Sequence, residues 1–180
     1  MKNFQYILRL TLTLLLITAV VAGLLGLVNH LTEDKIAALT AEKAEKARQE
    51  VLPAETYAEI EDCNMAKDGA SVTEAYRADD KGYVVRVNVS GFGGTIDMMV
   101  GVDADGRVCG VSIISHSETS GLGANCERED FRAQYVGKDG ELAVRKDGGT
   151  IEALTGATVT SRAVTRGVNL ALEFVKGVEG

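Results

Sequence analysis

Apolar side chains follow several rhythms along this chain, and each rhythm predicts a different element. Leu10 to Val28 is a run of 19 residues without a charge. At roughly 1.5 Å rise per residue such a helix spans roughly 28 Å, close to the hydrocarbon thickness of a bilayer, so the run predicts one transmembrane helix. It exceeds the apolar core of a secretory leader and no Ala-x-Ala site follows, which favours a retained anchor over a cleaved signal. From Thr32 to Leu52 the chain becomes rich in Ala, Glu and Lys, with Ile36, Leu39, Ala47 and Val51 as a narrow apolar stripe. That pattern predicts a solvated connecting helix, ended by Pro53.

Beyond Ser71 the period falls to two. Ala75–Arg77, Tyr83–Val89, Thr95–Val102 and Arg107–Ser115 read as strands, joined by turns at Asp79-Asp80-Lys81-Gly82 and Ala104-Asp105-Gly106, which together predict an antiparallel meander. Gly91, Gly93 and Gly94 between two of the strands predict a hinge or bulge. Residues 127–135 read as a short surface helix with Phe131 and Tyr135 one turn apart, and 137–149 as a polar, glycine-rich turn region. Helical spacing returns with Val164, Gly167, Val168, Ala171, Leu172 and Val175, which predict an amphipathic helix starting near Thr158 to Ser161. The predicted fold is α+β: an antiparallel sheet with packed helices, preceded by one N-terminal transmembrane helix. The predicted segments are 1–9, 10–28 (membrane span), 29–53 (connecting helix) and 54–180 (globular domain).

Charge orients this arrangement. Lys2 and Arg9 precede the span while Glu33 and Asp34 follow it, so the positive-inside rule leaves the N-terminus cytoplasmic and the globular part extracytoplasmic. The formal charge is −7, and without Lys2 and Arg9 there are 17 basic side chains against 26 acidic ones, or −9. Nucleic acid and anionic lipid would be repelled. Cys63, Cys109 and Cys126 are far apart and make no Cys-x-x-Cys, so neither zinc nor an iron–sulfur cluster is expected, and small core packing is their simplest role.

Candidate chemistry is confined to two stretches. A helix starting near Thr158 offers unpaired N–H groups and a partial positive charge to a phosphate. The dipole contributes only about 0.3–1 kcal/mol, too little to hold a diffusing ligand, and on spacing alone the simpler reading of Thr158, Thr160 or Ser161 is an N-cap. The loop H-S-E-T-S-G-L-G, residues 116–123, could bring backbone close to a flat ring, with Leu122 as an apolar face. Gly121-Leu122-Gly123 is not a dinucleotide fingerprint, since no third glycine stands at Cys126. His116 and Glu118 read as a loop hydrogen bond rather than an acid–base couple, and no catalytic residue is assigned. Asp103 and Asp105 do not complete a calcium loop. Lys138, Arg145 and Lys146 could approach a phosphate, although solvated charges are the simpler reading.

Glu152 to Ser161, E-A-L-T-G-A-T-V-T-S, resembles the flavinylation motif of the FMN-binding domain family, Asp-x-x-(Ser/Thr)-Gly-Ala-(Thr/Ser), with Glu152 in place of Asp. Residues 116–123 resemble the family's His-x-Glu-Thr-Pro-Gly-Leu-Gly, with Ser120 in place of Pro, and the Gly91–Gly94 segment resembles its Gly-(Tyr/Phe)-Gly-Gly. With an N-terminal anchor the resemblance narrows to the G subunits of Rnf ion-translocating electron-transport complexes and their paralogues, the C subunits of sodium-pumping NADH:quinone reductases. It implies FMN held covalently through a phosphoester on Thr158, with Thr155, Gly156 and Ala157 leading to the acceptor. It also implies cofactor contacts from Glu118, Thr119, Gly121, Leu122 and Gly123. The implied partners are a flavin transferase that uses FAD, and the membrane and redox subunits of an Rnf complex passing electrons between ferredoxin and NAD, coupled to sodium or proton movement. The implied location is the cell membrane. The quinone-reductase paralogue, a free-standing extracellular flavoprotein and a flavin-free tethered binding domain with Thr158 as a plain N-cap are the alternatives.

Overall fold

The computed structural model describes residues 2–61 and 63–179; Met1, the Lys2 side chain and Gly180, at the ends of the predicted segments, lie outside the described residues. The chain divides into two compact units, Met1–Ala41 and Glu42–Gly180.

The first unit is helical. It belongs to α1, Lys2–Val51, which runs on without a break where the sequence predicts a span and a separate connecting helix. Leu10–Val28 is exposed throughout, and the helix is long and apolar enough to cross a membrane. Three hydroxyls in this apolar stretch are satisfied within the helix: Thr11, Thr13 and Thr18 donate to the carbonyls of Ile7, Arg9 and Leu14 at 3.0, 2.8 and 2.9 Å. A polar group with no water available must find such a partner.

The second unit is built on one antiparallel sheet. Its strands are β1 (Tyr57–Glu59), β2 (Ala66–Lys67), β3 (Ala70–Ala78), β4 (Gly82–Ser90), β5 (Thr95–Asp103) and β6 (Val108–His116). They lie in the order β1-β3-β4-β5-β6, with β2 also on β3. The four long strands are the predicted meander, and β4 and β5 pair without a register shift from Gly82↔Asp103 to Ser90↔Thr95. β1 and β2 share the outer edge of β3 and are too short to show a period in sequence.

Alternation along the strands produces two buried faces. Val85, Val87, Val89, Ile96, Met98, Val100 and Val102 face α3, Thr158–Glu179, which contributes the predicted Val164, Val168, Ala171, Leu172 and Val175. Gly167 permits the close crossing: a Cβ there would stand 2.8 Å from Met98 Sδ. The opposite face carries Ala78, Val84, Met99 and Ile114, covered by Ala44, Ala47, Val51 and Leu52. The last turns of α1 are therefore not the solvated connector the sequence predicts. Gly101 and Gly110, paired across β5 and β6, make their seat, since Cβ atoms there would lie 2.5 Å from Val51 O and 3.0 Å from Val51 Cα.

The predicted helix over 127–135 is shorter and more buried than its pattern implies. A 3₁₀ turn at Gly123–Glu127, the four-residue α2 (Glu129–Arg132) and a second 3₁₀ turn at Ala133–Tyr135 replace it. Phe131 and Tyr135 pack edge to face, with centroids 5.7 Å apart, inside the core rather than on the surface. The Tyr135 hydroxyl meets Thr165 Oγ at 2.9 Å, which places the segment against α3.

Candidate functional site

Thr158 is the first residue of α3, as the spacing predicts. The approach is a tight turn: Gly156 adopts φ +73°, the left-handed region that suits glycine, and the Ala157 N–H closes on Leu154 O at 3.0 Å. Four hydroxyls lie between Thr155 and Ser161, and their surroundings differ. Ser161 is fully buried, donating to Ala157 O at 3.0 Å and accepting from the Leu154 N–H at 2.9 Å. Thr160 is 1 % exposed and donates to Glu118 Oε2. Thr155 is exposed, while Thr158 is half-buried and accepts a hydrogen bond from Lys146 Nζ at 3.1 Å.

The loop 116–123 sits against this turn. Leu122 is 45 % exposed, and its Cδ2 lies 3.0 Å from where a Gly156 Cβ would stand, so the two stretches singled out in the sequence touch. Gly121 turns the loop at φ +76°. Thr119 is exposed, and its carbonyl accepts the Leu122 and Ala124 N–H groups at 3.2 and 3.1 Å, closing the loop on itself. His116 Nδ1 accepts the Glu118 N–H at 3.2 Å while Nε2 faces Glu127 Oε1 at 3.3 Å, the loop hydrogen bond expected of this pair.

The Glu118 carboxylate turns inward and is 8 % exposed. Oε1 accepts the Phe92 and Gly93 N–H groups at 2.8 and 2.9 Å, and Oε2 accepts from Thr160. The glycines around it make room for this approach. A Cβ on Gly91 would collide with Oε1, and one on Gly123 would lie 2.5 Å from Oε2. Gly93 and Gly94 back onto Ser117 in the same way, the first against its carbonyl oxygen and the second 2.8 Å from its Cβ. Burial raises the Glu118 pKa, but the Thr160 hydroxyl, the two N–H donors and nearby His116 outweigh it and hold the carboxyl below its ordinary value. The Gly-Phe-Gly-Gly segment, the 116–123 loop and the first turn of α3 are thus tied together by one buried carboxylate. Sequence spacing hides this, because Phe92, Glu118 and Thr160 are far apart in the chain.

The loop between Val144 and Ile151 frames the other side. Lys138 donates to Thr150 Oγ at 3.1 Å. Arg145 pairs with Glu152, the acidic residue of the motif, at 2.6 Å, and Asp147 holds Arg162 through two bonds of 2.7 and 2.6 Å. Lys146 between them faces Thr158. Phe92, Leu122 and Val159 are exposed apolar side chains on the three segments that meet here. The site is an open surface. A hollow of about 510 Å³ runs instead along the flank of α3 between Lys67, Glu141, Asn169 and Glu173, and Thr158 does not line it. An accessible hydroxyl with a lysine beside it, bordered by exposed apolar surface, fits a covalently tethered phosphate bearing a flat apolar ring, which needs no enclosing pocket.

The cysteines are free thiols, Cys126 fully buried and Cys63 and Cys109 partly so. Burial, with Glu127 and Glu118 nearby, pushes the Cys126 thiol up to about 12.

Residues 91–173 match the FMN-binding domain family, and residues 1–51 match the RnfG N-terminal region. The G subunit of an ion-translocating oxidoreductase complex from Methanosarcina acetivorans is 32% identical over the whole of both chains. The G subunit of the Na(+)-translocating ferredoxin:NAD(+) oxidoreductase complex of Acetobacterium woodii is 33% identical over 98% of this chain and 95% of its own. The proton-translocating counterpart from Clostridium ljungdahlii is 47% identical over 54% of this chain and 55% of its own. With an apolar N-terminal helix, the glycine-rich segments gathered at Thr158 and a full-length match of this kind, the chain belongs to the RnfG family, the G subunits of ion-translocating oxidoreductase complexes, and residues 91–173 are its FMN-binding domain.

Proposed function

We propose that this chain is the membrane-anchored flavoprotein subunit of an Rnf-type complex, holding FMN through a phosphoester on Thr158 and relaying electrons between neighbouring redox subunits during transfer between ferredoxin and NAD, coupled to sodium or proton movement. The observation that carries the reading is the accessibility of one hydroxyl within the first turn of α3. In the first turn of α3, Thr160 and Ser161 are buried and engaged, whereas Thr158 is reachable and faces a lysine.

Attachment requires a flavin transferase. The Thr158 oxygen attacks the FMN-side phosphorus of FAD, the bond to the AMP phosphate breaks, AMP leaves with the electron pair, and the hydroxyl proton passes to a base of the transferase. FMN supplies the redox chemistry once bound, and the protein supplies position and environment. Here the turn at Gly156 presents the hydroxyl, Leu122 and Phe92 provide apolar surface, and Glu118 holds their segments together. Covalent attachment suits a cofactor on the outer side of a membrane, where a dissociated flavin would be lost. The span 10–28 would leave the N-terminus cytoplasmic and residues 54–180 outside.

Coexpression with a flavin transferase tests the reading. Wild type and Thr158→Ser are expected to yield a band that fluoresces under ultraviolet light in a denaturing gel, with the mass increment of one FMN, and Thr158→Ala a dark band. Equal signals from wild type and Thr158→Ala, whether bright or dark, overturn it.

A further inference from the structure

We propose that Lys146 is the counter-charge of the phosphodiester at Thr158 and a determinant of how readily that hydroxyl accepts the flavin; the proposal rests on the covalent reading above. Three consecutive charges, Arg145, Lys146 and Asp147, stand on the loop facing α3. The outer two are committed, Arg145 to Glu152 and Asp147 to Arg162. Among the described residues Lys146 has no carboxylate partner, and its ammonium instead donates to Thr158 Oγ.

The loop presents it rigidly. The Asp147, Gly148 and Gly149 N–H groups close on the carbonyls of Val144, Arg145 and Val144 at 2.8, 3.1 and 3.1 Å, and Arg145 N–H reaches Ile151 O at 2.8 Å. Gly148 takes φ +86°, and a Cβ on Gly149 would collide with Ala143 O, so both glycines are needed for the turn. An ammonium beside the acceptor oxygen does two things. It favours loss of the hydroxyl proton as the new P–O bond forms, and it then faces the single negative charge of the diester. It also separates Thr158 from Thr155, the exposed hydroxyl of the motif, which has no cation hydrogen-bonded to it among the described residues.

The test uses the full-length chain in detergent with a flavin transferase and FAD, followed by in-gel fluorescence, intact mass and ³¹P resonance of the loaded protein. Replacing a charge-assisted contact should slow initial labelling of Lys146→Gln by about tenfold, with Lys146→Arg within about threefold of wild type. The ³¹P resonance should shift in Lys146→Gln and stay in place in Lys138→Gln, the neighbouring lysine held by Thr150. Lys146 is exposed, so thermal unfolding of the unlabelled variants should match wild type. If Lys146→Gln keeps either the wild-type labelling rate or the wild-type ³¹P position, the counter-charge role is wrong while the covalent reading stands. If wild type itself stays unlabelled at Thr158, both fall.

Discussion

At the scale of single residues, Glu118 changes the meaning of the motif around it. Read along the chain, Gly91, Gly93 and Gly94 predict a hinge or bulge, and the glycines of residues 121–123 a close approach to a flat ring. In three dimensions Gly91 and Gly123 make room for a carboxylate that binds the protein to itself. Glu118→Ala strands two N–H donors and a buried hydroxyl, and should lower stability by about 2–4 kcal/mol in denaturant unfolding. Glu118→Gln keeps an acceptor for the N–H groups and should cost about half as much. The two should also differ from wild type in their response to acid. The folded carboxyl is held below its ordinary value of 4.5, so its contribution is complete above that pH and is lost as pH falls through the lowered folded value. Wild type should therefore lose stability relative to Glu118→Gln on acidification below pH 4.5, and a constant difference between the two curves would refute the assignment. The place of Thr158 at a helix start was legible at this scale because the spacing that marks the start of α3 is local. Lys146 could be named only as one of three loop cations able to approach a phosphate, with solvation the simpler reading, until the fold brings Thr158 to it.

At the scale of elements, α3 and the four long strands follow directly from their periods, since each buries one continuous face against a single partner. The end of α1 does not. Its buried contacts are made by Ala44, Ala47 and Val51, and the narrow stripe through Ala47 and Val51 is too weakly apolar to distinguish a packed face from a solvated one; glycines on the sheet supply the close fit. A Cβ at Gly101 would lie 2.5 Å from a backbone carbonyl, which cannot swing aside as a side chain would. Gly101→Ala should therefore destabilise the domain by about 1–3 kcal/mol, measured by thermal or denaturant unfolding. An unchanged midpoint would mean that the end of α1 does not pack there. The segment at 123–135 is the other miss, because Phe131 and Tyr135 are one helical turn apart whether they face solvent or the core.

At the scale of the whole molecule, the chain combines an exposed apolar helix with a domain that holds its own core. Residues 42–180 form a compact unit that includes the last turns of α1. Deletion of residues 1–41 should release the protein from the membrane fraction as a folded domain that still accepts flavin at Thr158. Deletion through Pro53 also removes Ala44, Ala47, Val51 and Leu52 and uncovers Val84, Met99 and Ile114. Loss of the Val51 and Leu52 burial alone should cost about 3–6 kcal/mol, enough to leave the product insoluble or unfolded. Cofractionation and circular dichroism of the two truncations check this, and equal folding of both would show that the second face of the sheet needs no cover.

The linear order of residues alone determined the apolar helix, the antiparallel meander and the terminal amphipathic helix with Thr158 at its start. Each of these depends on contacts or periodicities that repeat within a few residues. Only the tertiary structure decided which residues surround that threonine. The Glu118 carboxylate, the Gly91–Gly94 segment and Lys146 reach the start of α3 from separate parts of the chain. What joins them is the pairing of strands and the seating of α3 on the sheet, and a hydrogen bond across such distances in sequence leaves no local pattern to read.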